Sequence, residues 1–163
     1  AAAGDRRRGS DGSSVTGHAR RVRIGGDVVG AMVRHAWEAA PRECCGLLAG
    51  DDLRIDEAVP CRNQREDTKS FFLAPEDLIE TLRRLRREKR RWWGIYHSHP
   101  HGPETPSERD RREFYYPDLT YWIISLHRQP PVVRCFYWEH GDFRPGLPVL
   151  DGSMDPGIEA ELG

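Results

Sequence analysis

A chain of 163 residues is long enough for one domain with a substantial core. Lys+Arg 25 against Asp+Glu 26 leaves a formal charge of −1, so no global field argues for nucleic acid or a membrane surface as partner. No apolar run reaches membrane-spanning length, and the first residues hold no apolar signal core.

Residues 1–19 are small, polar and charged, which predicts a disordered tail. Their Arg and Ser content mimics a transit peptide, but Asp5 and the missing initiator Met fit a processed end equally well. Arg21–Ile24 reads as a short strand. Asp27 can then cap a helix with Val28, Val29, Met32, Val33, Ala36 and Trp37 at helical spacing, ended by Pro41. Cys44–Ala49 and Leu53–Val59 read as two strands around a Gly-Asp-Asp turn. After the polar stretch Arg62–Lys69, Phe71-Phe72-Leu73 suggests a short strand. Pro75 opens a second helix with the stripe Leu78, Ile79, Leu82 and Leu85.

Trp92–Ser98 alternates as a strand, which predicts Trp93, Ile95, His97 and His99 on one face. Thr120–Leu126 and Val132–Trp138 are two further strands, the first apolar enough to be central. Strands around two helices predict an α/β or α+β sandwich over residues 20–150, followed by a flexible tail over 151–163. Cys44, Cys45, Cys61 and Cys135 do not make a disulfide framework, because two are adjacent and a domain of this size needs no staples. They read as reduced, buried small hydrophobes in a cytoplasmic protein, and no CxxC spacing supports a cysteine zinc site.

The chemistry concentrates in Tyr96-His97-Ser98-His99-Pro100 and Pro106-Ser107-Glu108-Arg109-Asp110. Two histidines at i and i+2 point the same way from a strand end, and Asp110 follows eleven positions after the second. These are three ligand types that a catalytic zinc accepts. Amide hydrolysis near neutrality needs a better nucleophile than free water, and an open zinc site lowers the pKa of water from 15.7 to about 7. A carboxylate can take a proton from water so acidified, and Glu43 offers one. Ser107 can donate to the oxyanion of a tetrahedral intermediate. Ser107-Glu108-Arg109-Asp110 also reads as a helix capping box, which is compatible: the cap would present Asp110.

These residues resemble the JAMM (MPN+) metalloprotease family, whose signature is an upstream Glu, then His-x-His, ten residues and Asp, with Ser shortly before that Asp. Glu43, His97-Ser98-His99, Ser107 and Asp110 stand in that order and spacing here, with Pro100 and Pro106 in place. The likeness extends to Pro-Arg-Glu-Cys-Cys-Gly-Leu-Leu-Ala-Gly, Asn63 and the Phe72-x-x-Pro75 lead into the second helix, and covers about Arg20 to Trp138. It implies an MPN, cytidine-deaminase-like twisted mixed sheet flanked by helices and one zinc per chain held by His97, His99 and Asp110. It further implies Glu43 and Ser107 as catalytic groups. The implied activity is isopeptidase or deubiquitinase-like, cutting beyond the Gly-Gly end of a ubiquitin-like or sulfur-carrier protein, for example to release cysteine from a carrier adduct. The short loops here leave little room for insertions that would grip a second ubiquitin.

Other readings stay open. A DNA-repair-associated branch of the family carries the same pattern, and the basic run Arg83–Arg91 would be its support. The same run also reads as a solvated helix face or as a dock for an acidic carrier. A non-catalytic MPN scaffold would keep the fold without the metal. A purely structural zinc fits an Asp ligand and an outlying Glu poorly. His101 can line the mouth of the site, and Trp92, Trp93, Tyr115, Tyr116 and Trp122 serve either the core or a substrate groove.

Overall fold

The computed structural model describes residues 18–163, so the tail expected over 1–19 lies almost wholly outside the described residues. Its strands are β1 (Arg21–Gly25), β2 (Cys45–Gly50), β3 (Ile55–Cys61), β4 (Arg91–His99), β5 (Thr120–Ser125), β6 (Val132–Glu139), β7 (Asp142–Pro145), β8 (Leu147–Asp151) and β9 (Glu161–Leu162). The helices are α1 (Gly26–Ala39), α2 (Pro75–Glu88) and α3 (Glu108–Arg112). All strands join one mixed sheet in the order β7-β6-β5-β4-β2-β3-β1-β8, with β9 added to β6. This is the α/β sandwich expected from sequence.

β2 and β5 are buried along their whole length, as expected for strands covered on both faces. On one face α1 lays Val28, Val29, Met32, Val33 and Ala36 over Leu48, Tyr96, Trp122 and Ile124. The other face gathers Cys45, Leu47, Ile95, Tyr121, Ile123, Phe136 and Phe143, covered by Leu78 of α2 and by Phe71, Phe114 and Tyr116. Gly46 lies opposite Tyr96 in register, and a Cβ there would meet the Tyr96 ring at 2.4 Å, so the close approach excludes a side chain. β4 and β5 run parallel, and the segment crossing between them carries α3. A functional site at the carboxyl ends of such strands follows the general rule for open α/β sheets.

Several local expectations are corrected. Trp93 does not share a face with Ile95: it packs toward the α1 side, and Trp92 instead joins Ile95. The β2–β4 register slips between Leu48 and Ala49, whose partners are Gly94 and Trp92, so Trp93 is the extra residue of a bulge and the alternation reverses there. Ile95, His97 and His99 remain on one side. Phe71-Phe72-Leu73 forms no strand, only a single bridge from Leu73 to Asn63. The α1 cap is Gly25 without a side-chain bond, and Asp27 sits within the first turn, where its charge complements the helix dipole. In α2 the buried residues are Thr81 and Leu85, whereas Ile79 is 50% exposed. Residues 151–163, expected to fray, lie against the domain instead. Met154, Ile158, Ala160 and Leu162 pack on the α1-side core and β9 pairs with β6. Their apolar spacing is too sparse to announce a strand, and their partners are distant in sequence.

All four cysteines are free and buried, as read from sequence. Burial pushes the Cys44 and Cys135 thiols up to about 12 and Cys61 up to about 11, which keeps them unreactive. The basic run is partly neutralised within the domain: Arg84 pairs with Glu57 and Glu88, Arg90 with Asp56 and Glu57, and Arg91 lies over the Trp93 ring. No helix among the described residues is long and apolar enough to cross a membrane.

Candidate active site

β4 delivers His97 and His99 to its carboxyl end, both buried, with their Nε2 atoms 3.0 Å apart. α3 brings the third group. Ser107 caps it in a full capping box, its Oγ accepting from the Asp110 amide at 3.1 Å while its own amide donates to Asp110 Oδ2 at 2.7 Å. The carboxylate so fixed faces both rings: Oδ1 lies 3.2 Å from His97 Nε2 and Oδ2 3.3 Å from His99 Nε2. Glu43, just before β2, is buried beside them, with a carboxylate oxygen and the two histidine nitrogens all within 4.8 Å of one another. Thus the five residues singled out from sequence meet at one place, 67 positions of chain separating Glu43 from Asp110.

The protonation states follow from the partners. His99 Nδ1 lies 2.7 Å from the Pro103 carbonyl, which can only accept, so Nδ1 carries hydrogen and Nε2 is the ring atom turned to Asp110 and His97. Burial lowers the pKa of His97 and favours its neutral ring. For His99 burial opposes charge as well, but the hydrogen bond and charge of Asp110 outweigh it and raise the pKa. Burial raises the Asp110 carboxyl, yet His97, His99 and the Ser107 amide more than reverse this and hold it well below the usual carboxylate range. Burial pushes Glu43 up to about 8, only partly countered by His99. Two neighbouring acids therefore differ sharply: the surroundings favour the ionised form of Asp110 and the protonated form of Glu43.

Does this set fit a metal? Two ligands of a tetrahedral zinc, each at about 2.0–2.1 Å, stand about 3.3 Å apart. The separations of 3.0, 3.2 and 3.3 Å among His97, His99 and Asp110 have that size. Two Nε2 atoms and a carboxylate that turns one oxygen to each, with one ring oriented through Nδ1 by a carbonyl, make a donor set of the kind zinc accepts.

Further residues support the site that sequence alone did not single out for it. The Tyr121 hydroxyl donates to Asp110 Oδ1 at 3.1 Å, and its ring lies 4.9 Å from that of His97. Phe71 stacks on His97 at 4.6 Å. Ser98, between the histidines, points to the other face and its Oγ accepts from the Cys44 amide at 2.8 Å, tying the residue after Glu43 to β4. Asn63 donates to the Glu43 carbonyl at 3.0 Å, which gives that asparagine a concrete role. Only its backbone-bonding chemistry hinted at this.

Residues 26–139 match the family described as prokaryotic homologs of the JAB domain. The chain belongs to this family. Among curated relatives of this JAB chain, the tail tip assembly protein K of Escherichia phage N15 is 33% identical over 133 residues, covering 76% of this chain and 46% of its own length. A probable TtuB-protein conjugate cleaving protease of Thermus thermophilus is 39% identical over 80 residues, 48% of this chain and 53% of that protein. The chain thus spans about half the length of these two relatives. A CysO-cysteine peptidase of Mycobacterium tuberculosis is 31% identical over 104 residues, 63% of this chain and 71% of that protein. Among solved structures, protein DSY2949 from Desulfitobacterium hafniense superposes with a TM-score of 0.74 at 28% identity, covering 83% of this chain and 97% of that one. A JAB1/MPN domain protein from Archaeoglobus fulgidus, at TM-score 0.53 and 20% identity over 79% of this chain and 98% of its own, shares the fold. The JAB fold expected from sequence is therefore the one observed.

In this JAB domain the Ser107 oxygen accepts from the Asp110 amide, and among the described residues its hydroxyl donates to no partner. Ser107→Ala is expected to lower turnover by about 10²-fold, the scale of a lost oxyanion donor. It should cost about 1 kcal/mol of stability through the lost cap. Steady-state kinetics beside thermal unfolding separates the two effects; unchanged kcat with a lowered midpoint would leave Ser107 as a cap alone.

Proposed function

We propose that this protein is a zinc-dependent hydrolase that cleaves the peptide or isopeptide bond beyond the Gly-Gly end of a ubiquitin-like or sulfur-carrier protein. The observation that carries this reading is the triangle of His97, His99 and Asp110 beside a buried carboxyl of opposite protonation tendency. In it, His97, His99 and Asp110 hold one zinc per chain. When bound, the metal supplies Lewis acidity toward water and the scissile carbonyl.

Glu43 receives a proton from the attacking water and returns it to the leaving nitrogen. A nearby dication favours its carboxylate form, which removes the hold that burial alone places on the proton. Ser107 donates to the oxygen on which charge develops. Tyr121 and the Ser107 amide each occupy one Asp110 oxygen and fix its plane, and the Pro103 carbonyl fixes the His99 ring. Relatives named as cleaving TtuB conjugates or CysO-cysteine support the substrate class.

Mass spectrometry of ubiquitin-fold carriers extended past Gly-Gly, with and without chelator, tests the reading. Chelator-sensitive release of the extension is expected; an intact adduct with zinc-loaded protein would contradict it. One observation favours a second reading. The phage relative named for tail tip assembly matches more of this chain than either peptidase does. As a module of such an assembly protein, the domain would bind its partners without releasing anything from a carrier.

A further inference from the structure

The Pro103 carbonyl that orients His99 belongs to the loop Pro100-His101-Gly102-Pro103-Glu104, which leaves the end of β4. A proline ring fixes φ but leaves ψ free, so the ring of Pro103 alone does not aim its carbonyl. Two contacts from outside the loop do. On one side Ser125, the last residue of β5 and the register partner of His99, donates its hydroxyl to the Gly102 carbonyl at 2.6 Å. Ser125 is 1% exposed and its oxygen accepts from the His127 amide at 3.3 Å, so the hydroxyl is engaged as donor and as acceptor. On the other side the Glu104 carboxylate meets Arg128 at 2.7 Å and Arg134 of β6 at 3.6 Å. A hydrogen bond from its own amide comes first in holding the Glu104 carboxyl below its usual range, against burial, and the charges of Arg128 and Arg134 follow. The Glu104 N–H and the Pro103 C=O are the two ends of one planar trans peptide and point opposite ways. Holding the N–H on the carboxylate therefore turns the carbonyl toward His99.

We infer that Ser125, assisted by Glu104, is a positioning residue for the metal centre: it holds the peptide that fixes the His99 ring with Nε2 turned to the ion. The inference rests on the zinc part of the reading above and extends it to residues that touch no ligand atom. Ser125 and Glu104 act only through the Gly102–Glu104 backbone and the Pro103 carbonyl. A histidine whose second nitrogen keeps a fixed acceptor is ordered before the metal arrives. Released from that acceptor, the ring bonds water and samples other orientations, and ordering it again then costs part of the binding free energy. The strand register gives Ser125 this reach, because parallel β4 and β5 end side by side and the Leu126 amide donates to the His99 carbonyl at 3.2 Å. One hydroxyl on β5 thus ties down the loop that leaves β4 and, through it, a ring on β4 itself.

The test measures zinc affinity of the whole chain by competition with a chromophoric chelator, so it needs no substrate. Ser125→Ala is expected to weaken zinc binding by about tenfold, the lower end for a residue that supports a metal-bound histidine. Nitrogen-15 NMR of the zinc-loaded parent should show a His99 Nδ1–H protected from exchange with water, and that protection should be lost in Ser125→Ala. Glu104→Gln should weaken binding in the same direction by about two- to fivefold, the scale of a partly screened ion pair. Thr120→Ala is the control. At the opposite end of β5 the buried Thr120 hydroxyl makes the same kind of bond, to the Trp93 carbonyl at 2.8 Å. That variant should lose stability while keeping the parent's zinc affinity and its protected Nδ1–H. Equal affinity in parent and Ser125→Ala would overturn the inference and leave the zinc reading standing, as would a Thr120→Ala chain weakened as much as Ser125→Ala. Should Ser125→Ala fail to fold, Glu104→Gln decides alone, and parental affinity there overturns the inference. A parent chain that binds no zinc would overturn the zinc reading and this inference together.

Discussion

Glu43→Gln is expected to keep the metal and lose turnover by about 10²–10⁴-fold, the range attributable to a positioned acid–base group. Glu43 shares a set with His97 and His99 whose ligand atoms all lie within 4.8 Å of one another, and Asp110 faces the same two rings at 3.2 and 3.3 Å. In the proposed site Asp110, fixed by the capping box of α3, is the third ligand and Glu43 is the proton acceptor. The electrostatics agree, because burial favours the protonated form of Glu43 while its neighbours ionise Asp110. Glutamine keeps the side chain's length, and the hydrogen bond from Asn63 goes to the Glu43 backbone carbonyl, not to the carboxyl. Zinc content and single-turnover rates measured on the same preparation check it. Loss of the metal with the carboxyl would make Glu43 a ligand, and undiminished cleavage would remove it from proton transfer.

Asp110→Asn should have the opposite signature in metal content, with both zinc and activity lost. The amide can still accept from Tyr121 or the Ser107 amide, so the local hydrogen bonds of α3 largely survive while the negative charge does not. His99→Ala should behave alike. A site held at 1,000 times its Kd contributes about 4.1 kcal/mol to stability. Thermal unfolding with zinc added should therefore separate parent from variant, whereas the two should draw together in chelator. A variant that binds one zinc as tightly as the parent would show that Asp110 is not a ligand.

The site was more legible in the sequence than its supports were. His97, His99, Asp110, Glu43 and Ser107 carry chemistry that few other residue types supply, and their spacing suits a strand end followed by a capped turn of helix. The central strands were legible too, because β2 and β5 are apolar on both faces. Tyr121 was not, since an aromatic residue in a buried strand looks the same whether or not its hydroxyl holds the Asp110 carboxylate. The Trp92–Trp93 bulge leaves no compositional mark, because two adjacent tryptophans fit either alternation. Phe71 read as a strand residue by propensity, yet stacking on His97 decides its place. The segment from Met154 to Leu162 reaches α1 and β6 through contacts that no local pattern encodes.

Zinc quantification on the parent, Glu43→Gln and Asp110→Asn chains, purified together and dialysed against trace metal, reaches the centre of this account. Near one zinc per chain is expected in the parent and in Glu43→Gln, and near none in Asp110→Asn. A parent chain that takes up no zinc, or an Asp110→Asn chain that keeps its full complement, would contradict it.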